Sequence, residues 1–350
     1  MFVTYTMIAD SDQNKIAALV TKILRSVGKG MRKIRGNSTA FYTECTALTT
    51  EQWSSELLPG VLYGSKASDL IFEELLAKKP SMICRFGTTE LATIASATTQ
   101  LTVTNALKLV SGHEIVRDIG MHEGLMRSLC SLSGFFPPNL SEGREFVKLM
   151  LADMKYIDIL GVWCKQESNF SRALSSARKV RFRDMEPYMH ENPWSRILAG
   201  RKVLVVHPFS YSIEKQYSRN RKFLFSNPLV LPEFELQTIT AVQSIANNPT
   251  RFAKWFDALR YMMDQISNAN FDVAIIGCGA YGMPLAAHVK RIGKKAVHLG
   301  GQTQLLFGIK GKRWEAGHGE IRQLFNDHWV YPDEKEKPQN FSSVEQGAYW

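Results

Sequence analysis

Cysteine is scarce and scattered: five residues in 350 (Cys45, Cys84, Cys130, Cys164 and Cys278), with no C-x-x-C pair. That spacing excludes a disulfide framework and a zinc knuckle and fits reduced thiols. No run of about 18 apolar residues occurs, so no spanning helix is expected. The start, MFVTYTMIADSDQNK, carries acids where an export signal would have its apolar core. HExxH, G-x-x-x-x-G-K-[ST] and G-x-S-x-G are absent, which disfavours a preformed zinc site, a P-loop ATPase and an α/β-hydrolase. No RNA-binding signature or zinc finger appears, so no nucleic-acid partner is expected. These absences describe a cytoplasmic protein of ordinary composition, with 45% apolar and 22% charged residues.

The charge is +10, and it is unevenly placed. Residues 1–35 hold seven basic side chains (Lys15, Lys22, Arg25, Lys29, Arg32, Lys33, Arg35) against Asp10 and Asp12. Within 14–35, Ile16, Leu19, Val20, Ile23, Leu24, Val27, Met31 and Ile34 recur at helical spacing. A basic amphipathic extension over 1–50 suits an anionic membrane surface, which would put the protein peripherally at the inner face. It equally suits a helix packed on its own domain with a solvated basic face.

Beyond residue 51 the pattern alternates strands and helices. Residues 51–79 read as helical, SMICRF (81–86) as a buried strand, and TTELATIASA as a helix that Thr88 or Thr89 can cap. Helices are expected over 105–132 and 142–155, with a strand over 156–163. KVLVVHP (202–208), FDVAIIG (271–277) and KAVHLGG (295–301) read as strands. IEKQYSRNRKFLF, FELQTITAVQSIA, RFAKWFDALRYMMDQIS and MPLAAHVKRIG read as helices. The expected fold is α/β and Rossmann-like: one domain over 51–332, a mostly parallel sheet flanked by helices, with an N-terminal helical extension and a loose polar tail over 333–350.

In such sheets ligands bind beyond the carboxyl ends of the strands. Four strands run into unusual loops: RFGTTE, HPFSYS, GCGAYG and LGGQTQ. GCGAYG (Gly277, Gly279, Tyr281, Gly282) is a G-x-G-x-x-G after an apolar strand, where glycines let backbone amides approach a phosphate or simply make a tight turn. No acid follows about 20 residues on, which disfavours NAD; no acidic ribose site for a methyl donor stands out either. Arg85 can fork onto a phosphate or carboxylate, and Glu90 can take a proton from a sugar hydroxyl or hold a ribose; the pair also suits a surface salt bridge and a first-turn acid favoured by the helix dipole. His207, at a strand end, is a candidate acid, base or phosphate ligand, or a side chain satisfied by a carbonyl. In FGIKGKRWE, Lys310, Lys312 and Arg313 can neutralise a diphosphate while Trp314 stacks on a ring, near Gly300, Gly301 and Gln302.

The stretch from KVLVVHPFSYSIEKQY to FDVAIIGCGAYGMPLAAHVKRIGKKAVHLGGQTQLLFGIKGKRW resembles bacterial proteins encoded among surface-polysaccharide genes. SMICRFGTTEL resembles the arginine–glycine–acid segment of the GT-D-fold glycosyltransferases, and together the likeness spans roughly 60–330. It implies a single Rossmann-like domain that moves a sugar from a nucleotide-diphosphate donor to a glycan or lipid-linked acceptor. The family pattern Arg-x-Gly-Asp-Gly-Glu is matched at Arg85, Gly87 and Glu90. Thr88 and Thr89 stand in place of its first acid and second glycine. The family's divalent ion (Mn2+ or Mg2+) would then meet one carboxylate where two are usual, a poor site, so no metal ligand is assigned. Lys310, Lys312, Arg313 and His207 would carry the leaving group's charge instead. The alternatives are a non-catalytic nucleotide- or glycan-binding module, or a Rossmann-type oxidoreductase or methyltransferase.

Overall fold

Short apolar runs bounded by proline or glycine become strands buried on both faces, as parallel sheets require. The computed structural model describes residues 60–111, 119–317 and 319–350, with Ile23 and Ser26. The amphipathic stretch 14–35 and the extension over 1–50 therefore lie outside the described residues, those two positions apart. In chain order the strands are β1 (Val61–Leu62), β2 (Ser81–Arg85), β3 (Ile159–Val162), β4 (Arg178–Arg181), β5 (Lys202–His207), β6 (Glu235–Thr240), β7 (Val273–Ile276) and β8 (Lys295–His298). They form one sheet in the order β1-β4-β3-β2-β8-β7-β5-β6. Every pairing is parallel.

The helices are α1 (Ser65–Leu76), α2 (Thr88–Thr98), α3 (Val103–Ser111), α4 (Glu123–Ser133), α5 (Leu140–Asp153), α6 (Ser210–Leu224), α7 (Trp255–Asn268), α8 (Gly282–Arg291), α9 (Gln302–Leu306), α10 (Lys312–Gly317) and α11 (Gly319–Arg322). Alternate strand residues feed two cores. Met82, Cys84, Leu204, Val206, Ala274 and Ile276 pack with α2, α4, α5, α7 and α8. Ile83, Val203, Val205, Ile275 and Val297 face the other way, toward α1, α6 and α9. This period-two division is what a central parallel strand imposes on its side chains.

Local chemistry explains most helix ends. Asn139 caps α5, accepting from the Glu142 N–H at 2.8 Å, and α4 stops at Gly134 in the left-handed region (φ 77°). Gly87, not a threonine, is the N-cap of α2; Thr88 is already helical.

Three further segments depart from their sequence pattern. FELQTITAVQSIA supplies β6, an edge strand in register with β5 from Lys202↔Glu235 to His207↔Thr240, and not a helix. Its Thr238, Ile239 and Thr240 are β-branched, and edge placement tolerates the polar positions. The stretch 105–132 is split between α3 and α4. The tail read as loose is packed: Val344, Ala348 and Trp350 are buried, and Glu336 sits at the start of α6.

Candidate functional site

The C-terminal ends of the strands open on one cavity of about 950 Å³. Arg85 ends β2, Trp163 follows β3, Phe182 follows β4, His207 ends β5, Gly277 follows β7 and His298 ends β8; all line it. The loops RFGTTE, HPFSYS, GCGAYG and LGGQTQ thus reach one space because their strands share one sheet. Glu90 and Gly279 border the same cavity.

Arg85 lies against two aromatic faces, its guanidinium carbon 4.6 Å from the Trp163 ring centre and 4.7 Å from that of Phe182. Trp163 is itself fixed by an N–H donated to the Phe86 carbonyl at 3.0 Å. The Arg85 Nε is buried and has no hydrogen-bond partner among the described residues. Its charge is held over π-faces, free of a carboxylate within 4.0 Å among those residues, which leaves it available to an anion.

Glu90, in the first turn of α2, is 6% exposed. Burial raises its carboxyl above the ordinary range, while Arg85 and Ser133 pull the other way. Its side chain folds back over Gly87: a Cβ there would lie 1.9 Å from Oε2. Burial and the nearby Arg85 charge thus act on this carboxyl in opposite senses, and burial is the larger effect.

His207 is buried and receives the Phe209 N–H on Nδ1 at 2.9 Å. Burial lowers its pKa to about 3. The ring is therefore neutral, and with Nδ1 accepting, the proton is assigned to Nε2. With Nδ1 occupied, the N–H at Nε2 is what this ring can offer to the cavity it lines.

The glycine loop is accounted for largely by protein contacts. A Cβ at Gly277 would meet the Gly300 carbonyl oxygen at 2.4 Å, and one at Gly279 the Ser133 carbonyl oxygen at 2.6 Å. Gly282 faces the His298 ring and does not line the cavity. Tyr281 lines it but stacks on Trp255, centroids 4.9 Å apart. Gly279 also needs its φ of 58°. These glycines need no phosphate to explain them.

The basic loop divides. Arg313 lines the cavity, paired with Glu345 and donating to the Tyr349 hydroxyl at 3.1 Å. Lys310 pairs with Glu315 at 3.4 Å, Lys312 lies over Phe341 at 5.9 Å, and neither lines the cavity. Trp314 borders it but is 1% exposed, its ring packed edge-on to Tyr349, so little of its face is open to a ligand. Gly87, Thr88, Gly300, Gly301 and Gln302 all border the cavity.

Several lining groups have no motif behind them: Trp163, Phe182, Arg183, Glu186, His298 and the tail residues Glu345, Tyr349 and Trp350. His298 alone carried a usable signal, as the polar end of an apolar strand before two glycines. Glu186 is 4% exposed, and burial pushes it up to about 7 against the pull of Arg183.

Thr88 brings a hydroxyl and not a carboxylate to the loop after β2, and among the described residues no group of three or more His, Cys, Asp or Glu is placed to hold a metal ion. No helix of the described residues is long and apolar enough to cross a membrane.

Fold and cavity together define an all-parallel α/β protein with a ligand-sized chamber at its strand ends. No protein-family model matches the chain, and no curated protein matches it. A solved selenomethionine-substituted structure of domain of unknown function 1792 aligns at TM-score 0.34 and 12% identity, over 79% of this chain and 93% of that one. Likeness at that level shows no shared chemistry.

Proposed function

We propose that the protein transfers a sugar from a nucleotide-diphosphate donor to a hydroxyl of a glycan or lipid-linked acceptor. The supporting observation is the pairing, in one chamber, of an unpaired aromatic-backed arginine (Arg85) with a buried carboxyl (Glu90). The chamber's size lies within the range of small-molecule sites. In this reading Arg85 and Arg313 hold the diphosphate, and Glu90 accepts the proton of the acceptor hydroxyl. The acceptor oxygen bonds to the sugar's anomeric carbon as the bond from that carbon to the diphosphate breaks. The departing charge is stabilised by cations that are already in place. His207 donates through Nε2 and moves no proton. Lys310 and Lys312 take no part, and no step runs through a metal. The missing downstream acid and the protein-filled glycine faces weigh against a dinucleotide reading.

The test is a thermal-shift screen of UDP, GDP, CMP, NAD and S-adenosylmethionine, followed by donor turnover with Glu90→Gln. A nucleoside diphosphate should stabilise the protein, and the variant should fold normally yet lose about 100-fold or more in rate. In the wild type the rate should fall as pH drops below the raised Glu90 pKa, because the base becomes protonated. Stabilisation by NAD or S-adenosylmethionine alone, or a fully active Glu90→Gln, would overturn the assignment.

A further inference from the structure

Buried polar atoms nearly always find a partner within the protein or in bound solvent, because leaving one unmade costs about 1–3 kcal/mol. Around Arg85 this accounting does not close. Arg85 Nε, Glu186 Oε2 and both ring nitrogens of His298 are buried with no hydrogen-bond partner among the described residues. All three side chains line the same chamber. Glu186 and His298 are each only 4% exposed. Both lie close enough to Arg85 for its charge to act on them. The three come from the ends of β2 and β8 and from the turn after β4, so they meet only through the sheet order.

We infer that Arg85 Nε, Glu186 and His298 form a polyol subsite that binds the hydroxyls of the transferred sugar. The inference rests on the donor-sugar reading given above and adds which groups grip the sugar. The set fits hydroxyls for a chemical reason. A guanidinium N–H can only donate, whereas a neutral imidazole both donates and accepts. Burial, with Arg85 nearby, lowers the His298 pKa to about 3, so the ring is uncharged. A carboxyl does either according to its proton. Sugar hydroxyls are rotors that donate and accept together, so one polyol satisfies the mixed set. A nucleobase edge has a fixed donor–acceptor order and does not adapt in this way. A phosphate has acceptors alone and would leave the His298 acceptor and an ionised Glu186 unmatched. The phosphates therefore go to the outer guanidinium edge of Arg85 and to Arg313.

Calorimetric titration separates the possibilities. UDP and GDP, and then UDP-glucose, UDP-galactose, UDP-N-acetylglucosamine and GDP-mannose, are titrated into wild type, Glu186→Gln and His298→Asn. We expect one nucleotide sugar to bind more tightly than its own nucleoside diphosphate. Each variant should weaken that nucleotide sugar by about 10-fold, one lost hydrogen bond, while leaving the nucleoside diphosphate within about 2-fold. Melting temperatures should hold in both variants, and likewise in His298→Leu, since Gln keeps a polar oxygen for the Tyr188 hydroxyl and the His298 ring nitrogens have no partner among the described residues. Equal weakening of diphosphate and sugar, no weakening of either, or a melting temperature lowered in all three variants would overturn the subsite while leaving the transferase reading standing. A wild type that binds none of these nucleotides would overturn that reading, and the subsite with it.

Discussion

Two glycines set the reach of the two charged side chains at the chamber floor. Gly300 has φ 65°, and a Cβ there would sit 2.8 Å from Arg85 Nη1. Gly87 leaves room for the Glu90 carboxylate to fold onto the backbone. The two should respond differently to a methyl group. Gly87 has an extended backbone (φ −75°, ψ 146°) that any residue adopts, and its close neighbour is the movable end of a side chain. Gly87→Ala should therefore leave the melting temperature within about 2 °C. It should still lower turnover by about 10-fold or more, because the carboxylate must swing away from its position. Paired melting curves and rate measurements check this; a stable variant with full activity would detach Glu90's position from the chemistry. The same scale explains why Lys310 and Lys312 drop out: each has a protein contact outside the chamber, an acid for one and an aromatic face for the other.

At the scale of elements, the C-terminal segment brings Val344, Glu345, Tyr349 and Trp350 to the chamber wall. Glu336 accepts the Tyr211 N–H at 2.9 Å and the Ser212 N–H at 3.3 Å, and it also takes the Ser212 hydroxyl. A carboxylate at the N-terminus of α6 satisfies amides that the helix itself cannot. Further along, the Tyr349 carbonyl accepts from Gln304 Nε2 at 3.2 Å, and Trp350 packs edge-on to Phe209. Glu336→Ala should cost about 2–3 kcal/mol and speed chymotryptic cleavage after Phe341. Unchanged cleavage kinetics would mean that this anchor does not hold the segment. The sequence hides such an element because DEKEKPQNFSSVEQGAYW is polar on average, and its few aromatic and small residues carry no period. β4 escapes notice for a related reason: RKVR has one apolar residue in four and is a strand only because β3 and β1 flank it. β6 misleads because an edge strand keeps one side wet and loses the continuous apolar run. By contrast SMICR, KVLVVH, VAII and KAVH are legible as strands, since central parallel strands must be apolar on both faces.

At the scale of the molecule, strand order decides what meets. β2 and β8 lie side by side at the middle of the sheet although about 200 residues separate them, which brings Arg85, Glu186 and His298 to one chamber. The four strand-end loops are readable in the chain as motifs. Their convergence, and the contributions of Trp163, Phe182 and Glu186, follow from pairings between distant strands that no local pattern encodes. The glycine loop illustrates the limit most clearly: its spacing suggests a phosphate, while its neighbours are the Gly300 and Ser133 carbonyls and the His298 ring. If one anion-binding chamber at the strand ends holds a nucleoside diphosphate through arginines, a crystal structure with the nucleoside diphosphate that stabilises the protein best will show phosphate oxygens within hydrogen-bond distance of Arg85 and Arg313, with Glu90 facing the space beyond the terminal phosphate. A nucleotide bound away from Arg85, or phosphates seated instead on Lys310 and Lys312, would contradict it.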